Sequence, residues 1–146
     1  MKIGLASDHA GYALKEHLRQ WLDAKNIPYI DYGTGSPESV NYAVYGHRLA
    51  AAVESGEADK GIAICGTGNG IGMTLNKHRD IRAAVCWNEE TARLARAHND
   101  ANILALPGRL ITAEDAERMV ETFLRTAFEG GRHEERIRTI PIPTSN

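Results

Sequence analysis

The sequence predicts an α/β fold: a three-layer αβα sandwich around a five-stranded parallel sheet, Rossmann-like, with strand order 2-1-3-4-5. Three observations carry that prediction. Five short apolar runs lack strict polar alternation, as strands buried on both faces do. Amphipathic stripes at helical spacing separate them, which calls for parallel strands joined by right-handed crossovers. A glycine-crowded stretch, ICGTGNGIG from Ile64 to Gly72, sits where the third run ends.

Taken in order, the strand runs are Lys2–Ala6, Ile27–Tyr32, Gly61–Cys65, Ile81–Trp87 and Ala101–Leu106. The first helical stripe uses Leu14, His17, Leu18, Trp21 and Leu22, with His17 read as a packed residue. The second uses Tyr45, Leu49, Ala50 and Val53. A short helix follows the glycine loop through about Lys77. Asn88 reads as the N-cap of a helix over Glu89–His98. Thr112 and Asp115 resemble a capping box before a long helix carrying Met119, Val120, Phe123 and Leu124. That helix is expected to end at Gly130–Gly131. The Pro-interrupted end, IPIPTSN, reads as a strand-like arm or loose end. Without repeats, linkers or low-complexity segments, residues 1–146 read as a single domain, with about 132–146 as an arm.

Composition narrows the function classes. The 146 residues are 42% hydrophobic and 25% charged, ordinary for a globular protein. A formal net charge of −2 argues against a generic partner among nucleic acids or acidic membranes. No apolar run approaches the roughly 18 residues of a membrane span. The start, MKIGLASDHAG, is too short in apolar residues for a secretory leader, so a cytoplasmic protein is expected. Two cysteines make no disulfide framework, and both are expected to be reduced.

Ligands of open parallel sheets bind beyond the carboxyl ends of the strands, where strand order reverses. Here that crevice would lie between Ser7-Asp8-His9-Ala10-Gly11 and Cys65-Gly66-Thr67-Gly68-Asn69-Gly70. Neither familiar phosphate motif fits the loop. GxGxxG would need glycine at Ile71 or Met73, and a P-loop would need Gly-Lys-Ser/Thr where Gly72-Met73-Thr74 stands. What remains is either a tight strand-to-helix turn or a loop whose amides converge on an anion. Cys65 precedes the positive end of a helix, a position expected to depress a thiol pKa. It reads as a general base, a nucleophile or a core thiol, whereas Cys86, inside AAVCW, reads as core.

Several motifs occur together in order: SDHAGYALK, ICGTGNGIG followed by NK, IRAAVCW, ARAHNDANILALPGR and GGRHEERI. With them the chain closely resembles the type B ribose-5-phosphate isomerases, a group that includes galactose-6-phosphate isomerase subunits. The resemblance spans nearly the whole chain. It implies that Cys65 is the base moving a proton between C2 and C1 of the open-chain sugar, and that His98 assists ring opening. It places Asp8 and His9 at the sugar and phosphate, and Gly66, Thr67, Gly68, Asn69 and Gly70 around the enediolate oxygens. Asn99, Arg109, Arg132 and Arg136 become further substrate contacts, the arginines chiefly for phosphate, and Tyr42 lines the site. It also implies a homodimer, or a dimer of dimers, with each pocket completed by a neighbour. The chain departs from the family in reading Asn41-Tyr42-Ala43 where Asp-Tyr-Pro is common. It also carries Asn69 and Ile71-Gly72, where many relatives have Ile and Ile-Ser. One branch has a glutamate base after Gly-Asn-Gly and no cysteine; Ile71 cannot carry a proton, while Cys65 is retained.

The chemistry is coherent without the family. Aldose–ketose isomerisation needs a base at a carbon-bound proton, donors for an enediolate and an anchor for phosphate. Cys65 and the loop amides supply the first two. Thr67 could add a hydroxyl to catalysis or serve only as a cap. Arg132 and Arg136 share a face if helical, yet Glu134 and Glu135 between them also fit a solvated charge run. Arg109, after Pro107-Gly108, is either a ligand contact or a surface ion pair. Among the histidines, His9, His98 and His133 fall near the expected site, while His47 and His78 read as surface positions. Asp8, His9, His98 and Asp100 lack metal-site spacing, so no metal or other cofactor is expected. The substrate is expected to be ribose 5-phosphate and ribulose 5-phosphate, with allose 6-phosphate or galactose 6-phosphate as alternatives. A non-catalytic sugar-phosphate sensor would need neither Cys65 nor His98.

Overall fold

A computed structural model describes residues 1–144. Among these, five strands and six helices alternate along the chain: β1 Ile3–Ser7, α1 Tyr12–Ala24, β2 Tyr29–Asp31, α2 Tyr42–Ser55, β3 Lys60–Cys65, α3 Asn69–Leu75, β4 Ala83–Val85, α4 Glu89–Ala97, β5 Ile103–Pro107, α5 Ala113–Arg125 and α6 Arg132–Arg138. All strand pairs are parallel. None of the described helices is long and apolar enough to cross a membrane.

The sheet order is β2-β1-β3-β5-β4, so the last two strands are exchanged relative to the sequence expectation. The physical reason lies in length and burial. β5 reads ILALP and is buried throughout, so it pairs on both sides, with β3 and with β4. β4 contracts to three residues that are half-buried or exposed, and a short strand suits an edge.

Two cores sandwich this sheet. Ile62 and Ile64 of β3 point into one, packed with Leu14, Leu18, Leu22, Ala92, Val120 and Phe123 of α1, α4 and α5. Ala63 and Cys65 point the other way, toward Leu49, Ala50, Ile71 and Leu75 of α2 and α3. The period-two alternation of β3 thus decides that the Cys65 side chain lies on the α2/α3 side.

Helix ends follow local chemistry. Asn88 caps α4 in a reciprocal capping box with Thr91, and Thr112 accepts the Asp115 amide at the start of α5. Three expectations need correction. α5 stops at Arg125, because Thr126 turns extended at φ −84°, ψ 125°, and the glycine pair instead precedes α6. The supposed arm begins as helix α6, and Arg79 then holds the Ile142 carbonyl at 2.7 Å; Ser145 and Asn146 lie outside the described residues. His17 is not a packed residue: its side chain is 42% exposed and meets Glu117 of α5 at 2.5 Å.

Candidate active site

The carboxyl ends of β1 and β3 are adjacent strands' ends, and the chain concentrates polar chemistry there. Asp8 follows β1 directly. Its amide donates to the Ile64 carbonyl at 3.2 Å, which sets it beside Cys65. The Asp8 side chain is buried, and its Oδ1 accepts the amides of Ala10 and Gly11 at 2.9 and 3.1 Å. Next to it, His9 Nδ1 accepts the Val40 amide at 3.1 Å. An imidazole nitrogen that accepts leaves the ring proton on Nε2, so neutral His9 presents a donor there.

Cys65 closes β3 and is 4% exposed. Its carbonyl accepts the Gly108 amide at 2.8 Å, and the Gly66 carbonyl accepts that of Arg109 at 3.1 Å. These bonds tie the loops after β3 and β5 together. Gly66 lies under the Arg109 side chain, where a Cβ would stand 3.2 Å from Nη1. Gly68 adopts φ +80° as α3 begins, the left-handed region that favours glycine. Gly70 faces the half-exposed Tyr42 ring, where a Cβ would come within 2.6 Å of Cε1. Thr67 Oγ1 accepts the Asn69 amide at 3.2 Å, so that loop N–H is satisfied internally. Asn41 caps α2 by accepting the Ala43 amide at 2.9 Å, which gives the departure from Asp-Tyr-Pro a local role.

The second group lies at the opposite edge. α4 runs back across the sheet, and its C-cap is His98, just before the amino end of β5. The Glu129 amide donates to the Ala97 carbonyl at 2.9 Å, bringing α6 to the same place. The His98 and His133 rings stack with centroids 4.3 Å apart. Glu129 Oε1 stands 3.6 Å from His98 Nε2 and 3.8 Å from His133 Nε2. His133 is held below the usual imidazole range, first by loss of water and then by His98 and Arg132. The Asn99 carbonyl accepts Arg82 Nε at 3.0 Å, and Arg132 and Arg136 are exposed on the seven-residue α6. Asp100, weighed above as a metal ligand, is instead paired with Arg96 at 2.8 Å and Arg82 at 3.3 Å.

One chain therefore brings together Asp8, His9, Tyr42, Cys65, Gly66, Thr67, Gly68, Asn69, Gly70 and Arg109, but not His98, Asn99, Arg132 or Arg136. The register measures the gap. Gly61 pairs with Ile103, and Cys65 pairs with Pro107. Four residues of parallel strand, about 13 Å, thus separate the two edges even before His98 is reached. Sequence reasoning gave no role to the Val40 amide or to Glu129. No spacing rule links the Val40 amide to His9 or Glu129 to His98, because both contacts cross between elements, although the four-residue spacing of Glu129 and His133 could have signalled that pair. Cys86 is buried and its thiol is pushed up to about 11, chiefly by that burial, as suits a core residue.

Comparison with known proteins agrees over nearly the whole chain. The sequence model of the family described as Ribose/Galactose Isomerase matches residues 3–140. Ribose-5-phosphate isomerase B of Escherichia coli is 42% identical over 139 residues, covering 95% of this chain and 93% of its own. The crystal structure of a ribose 5-phosphate isomerase from Thermotoga maritima superposes with a TM-score of 0.95 at 54% identity, covering 96% and 97% of the two chains. Ribose-5-phosphate isomerase B from Mycoplasma genitalium, solved with bound ribulose-5-phosphate, gives 0.90 at 38% identity, covering 95% and 93%. The chain belongs to the ribose/galactose isomerase family and stands among its type B ribose-5-phosphate isomerases.

Proposed function

We propose that the chain interconverts ribose 5-phosphate and ribulose 5-phosphate through an enediolate, with Cys65 as the base. The observation that carries this reading is the meeting of Cys65 with the glycine loop, Asp8 and His9 at the β1/β3 crevice. The Cys65 thiolate takes the proton from C2 of the open-chain aldose and returns it to C1, while the hydroxyl proton passes from O2 to O1. Electron density moves onto the O1 and O2 pair, where amides of the loop and Thr67 stabilise it. Asp8 and His9 contact the sugar and phosphate, with Tyr42 lining the crevice and Arg109 acting chiefly on the phosphate. The relatives named above, one holding ribulose-5-phosphate, support this choice of substrate.

His98 assists opening of the sugar ring, Asn99 contacts the substrate, and Arg132 and Arg136 hold the phosphate by charge-assisted hydrogen bonds. Since these residues lie at the far edge of their own chain, the working site is proposed to form between two chains. A homodimer, or a dimer of such dimers, supplies two shared sites. The whole chain acts as a single catalytic domain in the cytoplasm, where its two free thiols stay reduced.

The test is initial isomerisation rates on ribose 5-phosphate, allose 6-phosphate and galactose 6-phosphate with a chelator present. Turnover of the pentose phosphate is expected. Turnover confined to a hexose phosphate would move the substrate, and no turnover of any would favour a sensor.

A further inference from the structure

The function proposed above gives His133 and Glu129 no task, yet both are tightly grouped with His98. Among the described residues this is the one group of three His, Cys, Asp or Glu side chains that converges, with all ligand atoms within 4.8 Å of one another. The two imidazole rings stack nearly parallel, and the Nε2 atom of each lies within 4 Å of Glu129 Oε1. We propose that His98, Glu129 and His133 form a three-ligand site for a borderline divalent cation of the zinc type, and that this cation competes with the sugar phosphate for His98. The competition rests on the ring-opening role assigned to His98; the binding site does not.

Two imidazoles and a carboxylate form a donor set that zinc accepts, with one tetrahedral position left open. Magnesium and calcium prefer oxygen ligands and fit poorly. Zinc bonds of about 2.0–2.1 Å place tetrahedral ligand atoms about 3.3 Å apart. Closing the group onto one cation requires the two stacked rings to turn out of their near-parallel arrangement so that their Nε2 lone pairs converge, with the exposed Glu129 side chain swinging in as third ligand. The backbone already fixes the three positions. His98 donates to the Leu94 carbonyl at 2.9 Å, Glu129 to Ala97 at 2.9 Å and His133 to Gly130 at 3.2 Å. Arg132 and Arg136 on the same helix oppose a cation, so the affinity is that of a reversible inhibitor rather than a structural metal.

The experiment titrates chelator-treated protein with Co2+, followed by visible absorption, and with Zn2+ by calorimetry. One site per chain is expected, with tetrahedral cobalt bands and no sulfur charge-transfer band. Glu129→Gln and His133→Ala should each weaken binding at least about tenfold. His78→Ala should not, which sets aside the separate His47–His78–Glu54 contact. Unchanged affinity in both cluster variants overturns the site. In a parallel assay, Zn2+ should raise the apparent KM for ribose 5-phosphate, and Glu129→Gln should relieve it. Inhibition that excess sugar phosphate cannot reverse overturns the competition. Absence of any turnover refutes the proposed function instead, while the titrations still decide the metal site.

Discussion

The two edges of the sheet carry complementary groups but are built in opposite ways. At the carboxyl edge, Asp8 and Cys65 are 6% and 4% exposed, held by backbone hydrogen bonds between strand ends and neighbouring loops. At the amino edge, Arg132 and Arg136 stand exposed on a seven-residue helix with no buried residue, attached by a stacked histidine pair and a carboxylate. Proton abstraction from carbon demands donors held in fixed positions, and strand ends supply such positions. Phosphate capture and ring opening tolerate water and looser placement, since charge acts over a longer range. On the roles proposed above, two kinds of chemistry call for two kinds of support, at opposite ends of one chain.

The sharpest break in this comparison is Cys65→Ala. It should lower kcat by on the order of 100- to 10,000-fold, the usual worth of a general base, with thermal unfolding little changed. Activity near that of the parent would remove Cys65 as the base. Division of the site between chains is tested by mixing. Cys65→Ala and His98→Ala, each nearly inactive alone, should regain about a quarter of parental activity after co-refolding, because half of the dimers are mixed and each of these holds one intact shared site. A mixture as inactive as its components would place the whole site within one chain.

Smaller effects sharpen the contrast further. Arg136→Ala should raise KM by roughly tenfold, the value of a charge-assisted hydrogen bond, while leaving kcat largely intact. An unaltered KM argues against its phosphate contact. The mildest effect concerns Cys86, the core thiol. Its folded pKa of about 11 exceeds the ordinary value of 9.0, so the unfolded state ionises first. Its contribution is fully present below about pH 9 and is lost as the pH rises through about 11. Denaturant midpoints should therefore fall more steeply over that window in the parent than in Cys86→Ala, and parallel profiles would contradict the assignment.

Much of this was legible in the sequence. Apolar runs and helical stripes gave the alternating parallel architecture, because burial on both faces leaves a pattern in the residues themselves. Asn88 and Thr112 announced their helices, since a cap bonds only a few residues ahead. The Cys65 loop and Ser7-Asp8-His9 were placed together by topology alone, as strand ends at the switch point must be. Other features stayed hidden for an equally physical reason. The exchange of β4 and β5 depends on which strand can be buried on both sides, a competition among distant segments. The half-exposed His17 sits on an apolar stripe, and only the position of Glu117 on α5 shows what it meets there. The Val40 amide that fixes His9, and the reach of Glu129 to His98, join residues no local rule connects. By itself the sequence determined the elements, their caps and the chemical character of each loop, because those depend on neighbours along the chain. Only the tertiary structure decided strand order and the separation of His98 from Cys65, because direction of travel across the sheet sets which edge each residue reaches.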